Sequence, residues 1–339
     1  MGVTCKGRFD KPFYDSVFTY PVHRLPDKKW RNNKYRYIAR RLKSLSQDCD
    51  LHVLAGSWKM GLGVARYNIL NTRIPYIVQV NGKEARESRF FNRMLKNYAL
   101  KSSCLITTGA ENVKKIIYED VDHPVEIVHH GVDMTLFKPL DVPQEFYAKY
   151  RIPADRPKLL GFGRFVKRKG FDMVLEAMPR IVEKVPELVL VLAGRGPEEE
   201  NLRRSCAEKG LGSNVIFTGF IDDEDTVLLY NACDVYIMPS RAIGNDIEGF
   251  GITYIEANSC GKPVIGGNSG GVPDAVDHGE SGFLVDPESS DDIADRVIEL
   301  FTDNKLRDEM GRKALNRVER DFQWKDIVRN YVQLFGIEA

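Results

Sequence analysis

Two glutamates, Glu248 and Glu256, stand eight residues apart in the segment Pro239–Gly271, PSRAIGNDIEGFGITYIEANSCGKPVIGGNSGG. Gly249, Phe250 and Gly251 follow the first of them. A helix starting near Gly251 would leave the amides of Phe250, Gly251, Ile252 and Thr253 without intrahelical partners. Glycines let a ligand approach such a backbone, and the positive end of the helix favours an anion such as phosphate. Glu256 would then fall in the second turn and Glu248 in the loop before it, both able to accept hydrogen bonds from sugar hydroxyls. Spacing alone supports equally well a plainer arrangement, one solvated glutamate and one helix-interior glutamate joined by a loop.

A second cluster is cationic. In Gly161–Gly170, GFGRFVKRKG, a glycine turn is followed by Arg164, Lys167, Arg168 and Lys169. Fixed cations beside a glycine turn suit a diphosphate, although basic loops are commonly only solvated. The segment lacks the Gly-Lys-Ser/Thr ending of a P-loop, which argues against that type of nucleotide hydrolysis. Gly194-Arg195-Gly196 is a further glycine turn that does not complete a dinucleotide fingerprint. His129 and His130, ahead of Gly131-Val132-Asp133, read as structural or cleft-lining rather than catalytic.

The elements that must carry these residues follow a regular pattern in the second half. Short apolar runs at Leu159–Gly163, Leu188–Gly194, Val215–Phe217, Val235–Met238 and Val264–Gly266 alternate with helical spacing, as in Phe171–Val185 and Pro197–Lys209. Apolar strands separated by amphipathic helices imply a doubly wound parallel sheet, whose ligands sit at the carboxyl ends of the strands. The first half is of the same α/β class. Strands are expected at Leu51–Ala55, Tyr76–Val80, Cys104–Thr108 and Ile127–His129, and helices at Lys34–Leu45, Arg86–Leu100 and Glu111–Tyr118. The linker is expected within Phe137–Pro157, which carries four prolines.

At 339 residues the chain is long enough for two domains. No apolar run approaches the ~18 residues of a membrane span, and Met1–Asp10 lacks the apolar stretch of a secretory signal. Six scattered cysteines without a C-x-x-C pair argue against a disulfide framework or structural zinc and fit a cytoplasmic chain. The net charge of +1 conceals a division: residues 1–104 hold 21 Lys and Arg against 7 Asp and Glu, and the remainder 28 against 41. On the expected helix Arg86–Leu100, Arg86, Arg89, Arg93 and Lys96 would form one stripe, and Trp30–Leu45 carries Arg31, Lys34, Arg36, Arg40, Arg41 and Lys43. Helices of this kind can lie on an anionic membrane surface, or their apolar faces can pack inward while the cations are solvated. Nucleic acid is not an expected partner, because no recognisable module or interleaved aromatic platform accompanies the charge.

Together these residues resemble the family-4 retaining glycosyltransferases of the GT-B fold, over roughly Leu51 to Phe335. The E-x7-E motif stands as Glu248 and Glu256, and G-R-x(4)-K-G as Gly163, Arg164, Lys169 and Gly170. The later S-G-G-x-P-[DE] and G-x-x-G-x-L-V segments are Ser269–Asp274 and Gly279–Val285. The wording around Glu248 looks most like bacterial phosphatidylinositol mannosyltransferases and other group 1 glycosyltransferases. The resemblance implies two Rossmann-like domains facing a cleft: residues 1–145 for the acceptor, 146–321 for the nucleotide sugar, and a helix in 322–339 near their junction. It assigns catalysis to Arg164, Lys169 and Glu248, the two cations stabilising the departing diphosphate and Glu248 touching the transferred sugar. Donor contacts would come from Gly163, Gly194, Gly196, Gly219, Phe220, Phe250, Gly251, Ile252 and Glu256, with Glu256 on the ribose.

Two departures stand out. Met1–Pro26 offers no strand-Gly-Gly-helix opening, and Asn81 occupies the position of a histidine that often touches the donor sugar. Asn81 remains a sugar or acceptor contact, but it cannot titrate near neutral pH. The implied activity is transfer of a hexose, mannose among the candidates, from a GDP- or UDP-linked sugar to a lipid-linked or polysaccharide acceptor. The resemblance implies no metal and no other cofactor, and Asp48-Cys49-Asp50, a D-x-D sequence, is early and lies before a strand. The implied location is cytoplasmic, peripheral on the inner membrane face. Alternatives are a GT-B sugar-nucleotide epimerase and a non-catalytic nucleotide-sugar-binding relative.

Overall fold

A computed structural model describes residues 34–47, 50–87 and 89–336, together with two three-residue strands, β1 (Gly2–Thr4) and β2 (Val22–Arg24). These strands pair in parallel, Gly2 opposite Val22 and Thr4 opposite Arg24, as a sheet of their own. The opening segment was expected to lack the usual first strand with its Gly-Gly loop, and the strands found there are each three residues long. Three residues are too few for alternation to reveal one. The rest of Met1–Pro26, and Arg31 of the basic segment, lie outside the described residues.

The chain divides into two compact units. One comprises Met1–Val80, Glu87–Thr107 and Tyr118–Glu126, the other Asn81–Arg86, Thr108–Ile117 and Ile127–Ala339. The first centres on strands β3 (Val53–Ala55), β4 (Tyr76–Gln79), β5 (Leu105–Thr108) and β6 (Val125–Ile127), in that order across the sheet. β3 and β4, and β4 and β5, pair in parallel, with Ile77, Val78 and Ile106 fully buried. An unexpected helix, Trp58–Leu70, follows β3, its N-terminus capped by Ser57, which accepts from the Met60 amide. Gly61 and Gly63 weaken its helical signal, yet each is set by packing. A Cβ at Gly61 would lie 2.7 Å from Val78 Cγ2, and one at Gly63 would lie 3.0 Å from Ile38.

The expected helix Arg86–Leu100 is two helices, Gly82–Ala85 and Phe90–Lys101. Arg86 and Arg89 precede the second, so the four-cation stripe does not form. Lys96 is buried and donates to Asp120 at 2.8 Å, and Arg93 pairs with the same carboxylate. Phe90, Phe91, Met94 and Tyr98 are exposed instead. Ala99 and Leu100 pack inward beside the enclosed Lys96, so the inward face combines apolar side chains with a cation while four large apolar side chains face outward.

The second unit holds a six-stranded parallel sheet of β7 (Lys158–Phe162), β8 (Val189–Ala193), β9 (Val215–Gly219), β10 (Val235–Met238), β11 (Val264–Gly267) and β12 (Gly282–Val285). The order across the sheet is β12-β11-β10-β7-β8-β9. β8 and β10 are buried along their whole length, which explains why they read as unbroken apolar runs. From β7 the chain winds one way through β8 and β9, and from β10 the other way through β11 and β12. Right-handed crossovers therefore place the connecting helices on opposite faces and leave a switch point between β7 and β10. Phe137–Pro157, expected as a linker, contains the helix Gln144–Tyr150 and buries Phe137, Phe146, Tyr150 and Ile152 in this unit's core.

Candidate functional site

The two motifs singled out from the sequence follow the two strands that meet at the switch point. The cationic segment leaves β7 and the segment around Glu248 leaves β10, so their loops emerge side by side from neighbouring carboxyl ends. In an open α/β sheet this is where a ligand crevice forms.

The loops after β7, β8 and β9 are bonded to one another. The Gly163 amide donates to the Ala193 carbonyl at 3.0 Å, the Phe165 amide to Arg195 at 3.0 Å, and the Gly194 amide to Gly219 at 2.8 Å. Gly194 has φ +135°, and a Cβ there would lie 2.0 Å from the Gly163 carbonyl oxygen. Glycine is required by both the conformation and the close approach. Arg164 is exposed at the end of this array, Gly196 packs against the Phe165 backbone, and Phe220 is 60% exposed just beyond β9.

Lys167–Lys169 form one turn of 3₁₀ helix closed by Gly170. That turn directs Lys169 Nζ to Glu248 Oε2 at 2.6 Å, and Arg168 Nη1 donates to the same oxygen. Ser240 Oγ lies 3.3 Å from it. Burial acts to raise the Glu248 carboxyl, but Lys169 and Arg168 outweigh it and hold the group down at about 2. Burial lowers Lys169, with Glu248 opposing. An ionised carboxylate and two cations thus share one partly enclosed site.

The backbone after Glu248 is held from both sides. The Gly271 amide donates to the Glu248 carbonyl at 2.9 Å, and a Cβ at Gly271 would stand 2.0 Å from the Gly249 carbonyl oxygen. On the other side Gly82 abuts Gly249, which brings Asn81 beside the loop. Gly251 caps the helix Ile252–Ser259 in a left-handed conformation, φ +91°, so that helix starts where the spacing placed it. The Phe250 side chain is core, stacked on His129 with ring centroids 5.5 Å apart and meeting His130 and Phe322 edgewise or tilted. Phe250 can therefore serve a ligand only through its backbone, whereas Ile252 is 40% exposed. His129 Nδ1 lies 2.9 Å from the Gly109 carbonyl, consistent with a structural histidine.

Glu256 is buried in the second turn, and Tyr230 Oη donates to its Oε2 at 2.7 Å. Sequence reading missed Tyr230, which lies 26 residues away on another helix. It also passed over Asp274 as a clamp: its carboxylate accepts from the Glu111 amide at 3.2 Å. Arg168 was visible as a cation, but nothing in its spacing revealed that it reaches Glu248. The terminal helix, Trp324–Leu334, packs its Trp324 ring on Gly131, and Val132 donates to the Phe322 carbonyl at 2.8 Å. Among the described residues no group of three or more His, Cys, Asp or Glu side chains is placed to hold a metal ion.

Residues 142–317 match the family described as "Glycosyl transferases group 1". Over 203 residues the chain is 36% identical to a GDP-mannose-dependent alpha-(1-6)-phosphatidylinositol monomannoside mannosyltransferase of Mycobacterium tuberculosis, covering 59% of this chain and 52% of that protein. The chain thus spans about half the length of such relatives. It is 24% identical over 328 residues to N-acetyl-alpha-D-glucosaminyl L-malate synthase of Bacillus anthracis, covering 94% and 81%. Anabaena HepE, solved in complex with UDP and glucose, superposes with a TM-score of 0.80 over 98% of this chain and 91% of its own, at 19% identity. The fold is GT-B, with two parallel-sheet domains, and the family match covers just over half of the sequence. With that match, and with Glu248 of the E-x7-E motif meeting Lys169 of G-R-x(4)-K-G beside the switch point, the chain belongs to the group 1 glycosyl transferases.

Proposed function

We propose that this chain is a retaining, metal-independent hexosyltransferase that uses a nucleotide-diphosphate sugar and a lipid-linked or glycan acceptor. The observation that carries the reading is the convergence of Lys169, Arg168 and Glu248 beside a row of glycine turns at the β7/β10 switch point. Glycine turns admit a diphosphate to the backbone, and Arg164 and Lys169 supply positive charge where the leaving nucleotide becomes more negative. Glu248 accepts from hydroxyls of the transferred sugar and Glu256 from the ribose. The departing phosphate itself takes the acceptor proton during front-face attack, so no protein nucleophile is assigned. Residues 146–321 bind the donor and 1–145 the acceptor. The mycobacterial relative's name makes GDP-mannose the first donor to try.

A peripheral position on an anionic membrane fits a lipid-linked acceptor. Its support is the positive excess in residues 1–104 and the outward Phe90, Phe91, Met94 and Tyr98. Among the described residues no helix is long and apolar enough to cross a membrane.

The test is thermal stabilisation by GDP, UDP, ADP and their sugar conjugates, followed by product analysis with the preferred conjugate. Specific binding raises Tm by mass action. GDP-mannose is expected to stabilise most, and transfer is expected to fall at least about 100-fold in Lys169→Ala and Glu248→Gln, the scale of losing a preorganised charge. A stabilised protein whose variants both turn over normally would refute the site assignment. No stabilisation by any nucleotide would refute the activity.

A further inference from the structure

Two assignments in the donor site compete for the same atoms. Lys169 is to meet a diphosphate and Glu248 a sugar hydroxyl, yet the ammonium sits 2.6 Å from Glu248 Oε2. Three donors converge on that one oxygen: Lys169 Nζ, Arg168 Nη1 and Ser240 Oγ. Among the described residues no hydrogen-bond donor reaches Oε1.

The two cations are not equivalent. Lysine carries a compact charge on a flexible stem, whereas the guanidinium is a planar fork that holds several partners at once. Arg168 is anchored accordingly: its Nε lies 3.4 Å from Asp246 Oδ1, and its carbonyl accepts from the Arg241 amide at 2.9 Å. Arg241 is itself fixed, donating to Asp172 Oδ2 at 2.6 Å and standing 3.4 Å from Glu288. A buried carboxylate deprived of every cation is strongly penalised, so Glu248 releases Lys169 readily only if a second cation stays.

Resting on the donor-site reading above, we propose that Arg168 is a positioning residue that keeps Glu248 Oε2 when the donor diphosphate draws Lys169 away. Glu248 then stays ionised, with Oε1 turned to the sugar, and Lys169 exchanges a carboxylate for a phosphate. Asp246 and Arg241 hold Arg168 in place through that exchange.

Calorimetric titration of the full chain with GDP and with UDP tests this in a double-mutant cycle. Arg168→Gln leaves Lys169 as the remaining cation on Glu248 and is expected to weaken the preferred diphosphate at least about tenfold. Glu248→Gln frees Lys169 and binds at least as tightly as wild type. The double variant Arg168→Gln/Glu248→Gln is expected to match Glu248→Gln, because no carboxylate remains to compete, and Arg168→Lys should recover part of the loss. A double variant as weak as Arg168→Gln would mean that Arg168 touches the diphosphate or only shapes the loop, and would overturn the proposal. Unchanged binding in Arg168→Gln would overturn it too. Should Arg168→Gln alone not fold, the double variant must still match Glu248→Gln for the proposal to stand. A wild type that binds neither diphosphate would instead refute the donor-site reading, and this proposal with it.

Discussion

His130 shows how one side chain links the architecture of the site to pH. Burial, assisted by the neighbouring His129, holds its imidazole down at about 4 from an ordinary value of 6.5. Between those values the unfolded chain binds a proton that the folded chain does not, so stability rises with pH there. The His130 contribution is complete above pH 6.5 and is lost as pH falls to about 4, at most about 3 kcal/mol and less for its partial exposure. Glu248 acts in a lower window, its contribution lost as pH falls from about 4.5 to about 2. Denaturant titrations of His130→Phe should therefore show a flatter stability profile between pH 6.5 and 4 and an unaltered decline below it. An unchanged slope in the upper window would exclude His130 as its source. At this scale the sequence showed most of the candidate site, because Gly163, Lys169, Glu248 and Glu256 lie in two local motifs with fixed spacings. Tyr230 and the reach of Arg168 to Glu248 were hidden, since each depends on a helix or turn 26 or 80 residues from its partner.

Elements were legible where their burial was simple. β8 and β10 are enclosed on both faces and announce themselves as apolar runs, and the helix Ile252–Ser259 begins where a glycine permits a left-handed cap. The helix Trp58–Leu70 was missed because it is buried nearly all round and carries glycines for close packing, so it has neither amphipathic period nor good propensity. The helix Phe90–Lys101 was misread for a related reason: a count of cations does not distinguish solvated charge from structural charge. Lys96 is 1% exposed and its carboxylate partner Asp120 only 15%, whereas Arg93 on the same carboxylate is 52% exposed. Removing a partner from an enclosed ion pair costs about 3–5 kcal/mol, while an exposed pair contributes at most about 1. Asp120→Asn should thus destabilise the chain by about 2–4 kcal/mol in denaturant unfolding and Arg93→Ala by less than about 1. Equal effects would show that Lys96 does not depend on this carboxylate.

On the scale of the whole molecule, charge is unevenly distributed along the chain, +14 over residues 1–104 and −13 over the rest. Lys96 and Arg93 are committed to Asp120, so the surface available to an anionic partner is smaller than the count suggests. What the fold adds is apolar: Phe90 is 79% and Phe91 69% exposed at the start of one helix. Exposed aromatic rings beside a basic segment combine the two terms of interfacial binding, electrostatic attraction of about 1 kcal/mol per cation and burial of apolar area at the headgroup boundary. The full chain should therefore cosediment with vesicles containing phosphatidylglycerol, much less with phosphatidylcholine alone, and should be released as ionic strength rises. Phe90→Ser/Phe91→Ser removes the apolar term and should weaken vesicle binding by at least about tenfold. Tm should hardly change, because neither ring is buried. Nucleotide stabilisation should also persist, which separates a membrane defect from a damaged donor site. Full vesicle binding by that variant would assign the association to charge alone, and equal binding to neutral vesicles would remove the basic segment from the account.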